Sequence, residues 1–152
     1  MRRAIAALPF FLLMAGPTLG QTREAQFGVR AMVFADCTVN VTDLIFGVYN
    51  PEEDERGSTI IYVRCTPGAA AAISLSAGNS GNPLLRHMSG PDNLRYQLFR
   101  DIALSDPIDT TTPVFVLGSL ENDGQMFPFP VYGEIPRGQA VRAGNYADII
   151  RV

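Results

Sequence analysis

The sequence of 152 residues contains no tryptophan, no lysine, a single histidine and only two cysteines. So few histidines and cysteines make a zinc site improbable, because such sites ordinarily take three or four ligands. No phosphate loop, zinc pattern or haem motif occurs either, and no metal or cofactor is therefore predicted. The cations are all arginines and are outnumbered by fifteen acidic residues. An acidic chain without a basic stripe argues against nucleic acid and anionic membranes as partners.

Residues 1–20 are predicted to be a secretory signal peptide that is not part of the fold. Arg2 and Arg3 precede an apolar stretch, and small residues then stand before a cleavage point ahead of Gln21. The apolar stretch is shorter than the roughly 20 residues that a membrane span needs. The remaining residues, 21–152, are therefore expected to be exported and to form one domain with one core.

Cys37 and Cys65 are predicted to form a disulfide. An even number of cysteines in an exported chain is usually paired. The alternatives are a metal site or a catalytic thiol, but two distant cysteines and one histidine make a poor ligand set. The bond is expected to cross between two sheets and to contribute roughly 3–4 kcal/mol in the chain-entropy model.

Short apolar runs alternate with Gly, Pro, Asn and Asp, and residues 21–152 show no sustained helical period. This pattern is typical of an all-β sandwich or barrel. The architecture that fits is two antiparallel sheets packed face to face, as in immunoglobulin-like folds. Loops are expected at 52–57 and 78–83. Strands are predicted at 37–42, 44–49, 59–66, 71–76, 94–101, 114–117, 127–135 and 146–152.

Alternating segments stand at both ends of residues 21–152. At the start, one face of residues 26–33 carries Phe27, Val29, Ala31 and Val33. At the end, residues 145–152 have the pattern of a strand. An all-β domain must pair or cover its edges, so a spare strand and an unclosed sheet suggest that one copy completes the next. The alternative is that residues 26–35 are an internal first strand that runs on into Cys37, and the alternation of side chains is the same in both cases.

Two features resemble catalytic sites. The loop at 78–83 is a little like the serine-nucleophile loop of trypsin-like proteases, but Ser80 would need a histidine base and an aspartate beside it. The only histidine, His87, is expected in the same loop region and exposed. Three aspartates could also be imagined as a paired-carboxylate site, although no helix or strand fixes their spacing: Asp101, Asp106 and Asp109. No catalytic residue is therefore predicted.

Several short blocks of sequence follow one another along the chain: FGVRA (27–31), CTV (37–39), FGVY (46–49), VRCTPG (63–68), ISL (73–75), LRYQLFRD (94–101), VYGEIPRGQ (131–139) and GNYAD (144–148). In this order and spacing they resemble the spore coat U (SCPU) domain proteins, which include subunits of archaic chaperone–usher pili. The resemblance covers nearly all of residues 21–152. The chain departs from the family in two ways: it lacks the tryptophan–glycine patch that family members usually carry, and its final strand is shorter than theirs.

The resemblance implies an incomplete immunoglobulin-like β-sandwich at residues 36–152 that lacks its last strand, preceded by a donor-strand arm at 21–35. It implies a structural subunit, not an enzyme, of a secreted surface fibre assembled by donor-strand complementation. The donor side chains are those of the alternating face, Phe27, Val29, Ala31 and Val33. The groove edge, where a chaperone would bind, is expected at Tyr146, Ile149, Ile150 and Val152.

The resemblance also implies partners and a route. The partners are a periplasmic chaperone, an outer-membrane usher and other pilus subunits in a head-to-tail polymer. The route is export through the periplasm to the cell surface or secretion. The alternative is a secreted spore-coat-like or adhesive binding module of the same fold that does not polymerise.

Overall fold

The computed structural model describes residue 20 and residues 22–109, 113–119 and 123–152. These residues contain no α-helix; they form β-strands and one short 3-10 turn, Gly78–Ser80. The fold is therefore all-β, as the sequence predicts. The strands are β1 Cys37–Val41, β2 Glu55–Cys65, β3 Ala71–Ile73, β4 His87–Ser89, β5 Asn93–Arg95, β6 Gln97–Phe99, β7 Phe115–Leu117 and β8 Met126–Ile135.

The chain divides into two units, residues 1–32 and residues 33–152. In the first unit, residues 22–32 form neither helix nor strand, and all are exposed. In the second unit, the chain approaches the sheet through Thr66, whose N–H donates to Asp36 O at 2.9 Å and whose Oγ1 donates to Phe34 O at 3.3 Å. The first strand therefore begins at Cys37, and the strand pattern at 26–33 is not a strand of this domain. The predicted signal peptide lies almost wholly outside the described residues.

One antiparallel sheet has the order β1-β2-β8-β6 and forms the first layer. The long strands β2 and β8 pair from Glu55↔Ile135 to Arg64↔Met126. Alternate residues of both strands point to one face and are nearly fully buried, among them Ile61, Val63 and Val131. This period of two is what a half-buried strand requires.

The second layer consists of two separate two-stranded sheets, β3-β7 and β4-β5. Residues on and beside these strands, such as Ile73, Leu94 and Leu117, pack into the same core cluster as the inner face of the first sheet. Each fully buried side chain of this kind stabilises the fold by roughly 1.5–3 kcal/mol. Since the second layer is divided, the two layers form a sandwich whose sheets are not closed.

Several strand boundaries differ from the sequence prediction. β2 begins at Glu55, inside the stretch 52–57 that was expected to be a loop, because its first residues find partners on β8. The predicted strand at 94–101 is interrupted at Tyr96 and becomes β5 and β6. His87 is partly buried and belongs to β4, which pairs with β5, so the prediction of an exposed loop histidine is wrong.

Three other predicted strands, at 44–49, 71–76 and 146–152, are shorter than predicted or are not formed. Residues 44–49 have no regular strand, and β3 is shorter than the predicted 71–76. Residues 146–152 make one isolated antiparallel bridge, between Ala147 and Ser89, instead of a full strand. A ladder needs a neighbour along its whole length, and β4 offers only three residues.

The predicted disulfide between Cys37 and Cys65 is confirmed, with an S–S distance of 2.03 Å. The two residues stand directly opposite each other in the β1–β2 register. The bond therefore joins neighbouring strands of one sheet, and the expectation that it crosses between sheets is wrong. It holds the edge strand β1 to the sheet at the end where the chain enters.

Replacing both cysteines, Cys37→Ala with Cys65→Ala, is expected to lower the free energy of unfolding by about 3–4 kcal/mol. The reason is that the closed loop restricts the unfolded chain. Guanidinium unfolding of the wild-type and double-variant chains measures the difference. A loss below about 1 kcal/mol would contradict this role.

Candidate functional site

An open cleft of about 940 Å³ lies between the chain segments 41–49 and 141–152. Its floor is the hydrophobic core itself. The floor side chains come from both layers and are at most 6% exposed: Leu75, Leu94, Tyr96, Leu98, Val131 and Ile135. Exposed apolar side chains border the cleft at Val41, Ile45, Val48 and Val152, and an apolar opening of this kind marks a site of interaction.

The first wall of the cleft is the segment 42–49, which follows β1. It packs across the first sheet at two glycines, Gly57 of β2 and Gly133 of β8, which are direct partners in the ladder. A Cβ at Gly57 would lie 2.9 Å from Ile45 O, and a Cβ at Gly133 would lie 2.6 Å from Phe46 Cζ. The paired glycines therefore make the room in which this wall packs.

Aromatic contacts and hydrogen bonds hold the first wall in place. The rings of Phe46 and Tyr96 are 6.0 Å apart and tilted, an arrangement that aromatic pairs favour. At the end of the wall, Tyr49 Oη donates to Pro136 O at 3.1 Å and accepts from Gln139 N at 2.9 Å. The backbone groups of residues 43–49, by contrast, make no hydrogen bond with any described residue.

The second wall is the C-terminal segment 146–152, which is hydrogen-bonded along one side only. Ala147 exchanges two backbone bonds with Ser89, at 2.8 and 3.0 Å. Ser76 N donates to Arg151 O and Arg151 N donates to Ser76 Oγ, both at 2.8 Å. Backbone groups of an extended chain alternate in direction, so the remaining alternate residues present theirs to the opposite side.

That opposite side of the second wall is unpaired. Within the described part of the chain, the backbone groups of Tyr146, Asp148, Ile150 and Val152 form no hydrogen bond. Each of these residues also lines the cleft. The cleft is thus an apolar opening above the core, between two stretches of unpaired backbone, which is the arrangement that an added strand can complete.

A polar cluster lies beneath the second wall. Asp148 Oδ2 accepts a hydrogen bond from Tyr96 Oη at 2.7 Å, and Asp148 Oδ1 accepts one from Asn79 N at 2.7 Å. Burial, and then the neighbouring carboxylate, raises the pKa of Tyr96 far above its usual value, so this hydroxyl remains a proton donor. Gly78 has a φ of +68°, and a Cβ there would collide with the Asp148 carboxylate.

Arg86 is completely buried close to this cluster. Its guanidinium donates to Pro83 O at 2.9 Å, to Ser76 O at 3.2 Å and to Ile108 O. Burial lowers the pKa of Arg86, and the charges of Tyr96 and Asp148 oppose that shift. A buried cation that donates to three backbone carbonyls fixes the segments to which they belong.

Three of the four residues predicted as a groove edge line the cleft, and the fourth does not. Tyr146, Ile150 and Val152 line the cleft. Ile149 does not; it is 67% exposed and its N–H donates to Asp148 Oδ1. Successive side chains of an extended segment point to opposite faces, which explains why Ile149 is directed away from its neighbours.

The residues predicted as donor side chains are on the surface. Phe27 is 88% exposed, and Val29 and Val33 are each 84% exposed. Ala31 is exposed as well. Large apolar side chains at this exposure are unfavourable in water, and their alternation gives the segment one apolar face.

The serine-protease resemblance finds no geometric support. Ser80 Oγ donates to Ala77 O and to Asn82 O at 2.9 and 2.8 Å, as a turn residue does. His87 Nδ1 lies 3.4 Å from Leu85 O. A nucleophilic serine would instead need its hydroxyl hydrogen-bonded to a ring nitrogen of a histidine.

Asp101 and Asp106, two of the three aspartates of the hypothetical paired-carboxylate site, shape a loop instead. Arg100 binds both carboxylate oxygens of Asp106, and this hydrogen bonding holds the pKa of Asp106 below its usual value. Asp101 accepts from Ser105 Oγ at 2.7 Å and Asp106 N at 2.7 Å, and these bonds lower its pKa too. Asp109 is exposed. These contacts account for Asp101 and Asp106 as structural residues.

The described residues contain neither a metal-binding cluster nor a membrane-spanning helix. No group of three or more His, Cys, Asp or Glu side chains is placed to hold a metal ion. None of the helices among these residues is long and apolar enough to cross a membrane.

Comparison with known proteins places this fold in context. A family model, Spore Coat Protein U domain, matches residues 23–152. A curated relative, Protein U of Myxococcus xanthus, is 29% identical over 91% of this chain and 88% of its own length.

A solved structure matches with a TM-score of 0.57 at 23% identity and supports the fold. It is the crystal structure of the CsuC–CsuE chaperone–tip adhesion subunit pre-assembly complex from archaic chaperone–usher Csu pili of Acinetobacter baumannii. The match covers 78% of this chain and 38% of that chain. The chain therefore spans well under half the length of the solved chain that it matches.

The sequence prediction missed the first wall and the polar cluster. A pair of glycines inside two strongly β-forming strands, Gly57 and Gly133, was an available signal, because glycine in a strand often marks close approach of another segment. Arg86 and Asp148 gave no such signal, since a single charged residue in a short segment is most often a surface residue.

Substituting Gly57→Ala together with Gly133→Ala is expected to displace the segment 44–49 and to cost about 1–3 kcal/mol of stability, as overpacking does. Ser58→Ala, on the opposite face of β2, is the matched control and should be nearly neutral. Denaturant unfolding gives the stabilities, and Phe46 side-chain NMR shifts report the displacement. A double variant as stable as the control would show that the wall does not depend on these glycines.

Proposed function

Because this chain belongs to the Spore Coat Protein U domain family, we propose that it is the structural subunit of a surface fibre assembled by donor-strand complementation. In this proposal the arm, residues 21–35, of one copy lies as a strand in the cleft of the next. The observation that carries the proposal is one chain with both complementary parts: an open apolar cleft between unpaired backbone segments, and an exposed alternating segment.

The chemistry of the two parts is complementary. An added strand gains backbone hydrogen bonds at an open edge, while its alternate side chains enter pockets. Phe27, Val29, Ala31 and Val33 would enter the cleft and exclude solvent from its apolar lining. Fully burying a side chain such as Phe or Val contributes roughly 1.5–3 kcal/mol. Ordering the arm opposes part of this gain, since fixing one residue costs about 1–2 kcal/mol.

The geometry of the contact determines the form of the assembly. The donor is the start of the domain and the acceptor is the cleft, so the two surfaces of one contact differ. Such a heterologous contact does not close on itself and generates an open, head-to-tail filament. Binding is expected to be tight and slow to dissociate, because a sealed core must reopen before the strand leaves.

Partners and location follow from the same mechanism. An uncovered core aggregates readily, so a periplasmic chaperone would occupy the cleft first and an outer-membrane usher would exchange it for the next subunit. The chaperone–subunit complex among the similar structures supports this step. The exported fibre would then reach the cell surface. The role is structural, with no enzymatic reaction.

A second candidate is a secreted coat protein or binding module of the same fold that does not polymerise. The description of the matching family, Spore Coat Protein U domain, favours a coat protein, and the match to Protein U covers 88% of that protein's length. The two candidates differ in the fate of the arm, which a polymerising subunit must keep. N-terminal sequencing of the exported protein therefore distinguishes them, because loss of residues 21–35 leaves only the second candidate.

Copying residues 22–35 behind Val152 through a short glycine linker is expected to give a stable monomer. The copied strand would complete the cleft within one chain, whereas the unmodified chain from residue 21 should self-associate. Sedimentation velocity gives the masses, and thermal unfolding gives the stabilities. An unmodified chain that is already a stable monomer, and that gains nothing from the copy, would refute the proposal.

Val29→Asp is expected to abolish self-association, because a carboxylate would be buried without a partner. Met32→Asp is the matched control, since it places the same charge in the same segment on the opposite face and should leave association intact. Light scattering of both variants measures the effect. Equal association of the two variants would show that the alternating face is not the contacting face.

A further inference from the structure

The second wall of the cleft keeps an extended form although few residues pair with it. Asp148 stands at its middle and binds the fold beneath it through both carboxylate oxygens. On either side, Ala147 is bonded to Ser89 and Arg151 to Ser76. All of these bonds leave the cleft-facing backbone groups unoccupied.

The cluster joins the second wall to parts of the fold that the cleft does not include. Ser76, which bonds Arg151, is itself bonded through its carbonyl to the buried guanidinium of Arg86 at 3.2 Å. Asn79, which bonds Asp148, lies in the 3-10 turn Gly78–Ser80. Polar contacts therefore hold the wall, together with the packing of Tyr146 and Ile150 against the core, in a place where a closed sandwich would use a neighbouring strand.

We infer that Asp148 and Tyr96 are positioning residues that hold the C-terminal segment in the extended form an incoming strand requires. This inference rests on the proposed function. An acceptor edge that is already extended does not have to be ordered when the strand arrives, so binding is stronger than to a disordered edge. If the wall were released, the apparent affinity would fall with the fraction of molecules still in the extended form.

Two variants test this in the chain from residue 21 onward. Asp148→Ala removes every bond to the carboxylate. Tyr96→Phe removes one and preserves the packing of the ring, so it serves if Asp148→Ala does not fold. Tyr62→Phe is the matched control: Tyr62 is partly buried, and its hydroxyl has no hydrogen-bond partner within the described ranges. Near-ultraviolet circular dichroism checks the fold of each variant.

Two quantities are measured for each variant. One is amide hydrogen exchange at Ala147 and Arg151, whose N–H groups are bonded in the wall. The other is the affinity for a fluorescent synthetic peptide of residues 22–35, by anisotropy at nanomolar protein. Tyr96→Phe is expected to raise exchange about tenfold, the change that loss of a hydrogen bond to a charged group produces. Peptide binding should weaken in the same variant, and more in Asp148→Ala.

Each outcome decides a different point. Faster exchange together with weaker peptide binding, both absent in Tyr62→Phe, supports the inference. If the variants exchange or bind as the control does, these two residues do not position the wall, although the proposed function stands as long as the wild-type chain binds the peptide. A wild-type chain that does not bind the peptide overturns the proposed function, and the inference with it.

Discussion

Unpaired backbone beside an open apolar cleft is the constraint on which the rest of this structure depends. A β-sandwich is stable when its edges are bonded and its inner faces are covered. Here a cleft of about 940 Å³ opens onto Leu75, Leu94 and other core side chains between two segments whose facing backbone groups are unbonded. A folded domain with such an opening gains stability from whatever extended, apolar segment fills it.

The rest of the domain holds that opening in shape. The disulfide fixes β1 to β2 where the chain enters the sheet. Gly57 and Gly133, which face each other in the ladder, leave the space in which the first wall packs against the sheet. The second wall rests on Asp148 and on the bonds of its neighbours to Ser76 and Ser89. Each wall is therefore held by contacts that leave its cleft-facing backbone groups without hydrogen bonds to any described residue.

Much of the fold could be predicted from the sequence, because its signals are local. The alternation in 59–66 and 127–135 identified the two central strands, since one face of each is buried and the other is not. The cysteine count identified the disulfide. Pro128 and Pro130 lie where β8 has only β2 as a neighbour, a position in a sheet that tolerates proline.

The rest could not be predicted because it depends on contacts between distant segments. His87 forms a strand only because residues 93–95 lie opposite. Residues 146–152 alternate like a strand, yet the neighbour that would complete one is missing along most of their length. The role of Asp148 depends on Tyr96 and Asn79, which are remote in the chain. Periodicity describes a segment and gives no information about such partners.

The central claim is that the amino-terminal segment of one copy completes the domain of another. Its most direct test is an electron cryomicroscopy reconstruction of the assembled protein, at a resolution that separates strands. The account predicts a strand from a neighbouring copy, with Phe27 to Val33 facing the floor of the cleft, between residues 42–49 and 146–152. An assembly in which the cleft stays empty, or in which it is closed by residues of its own chain, would contradict the account.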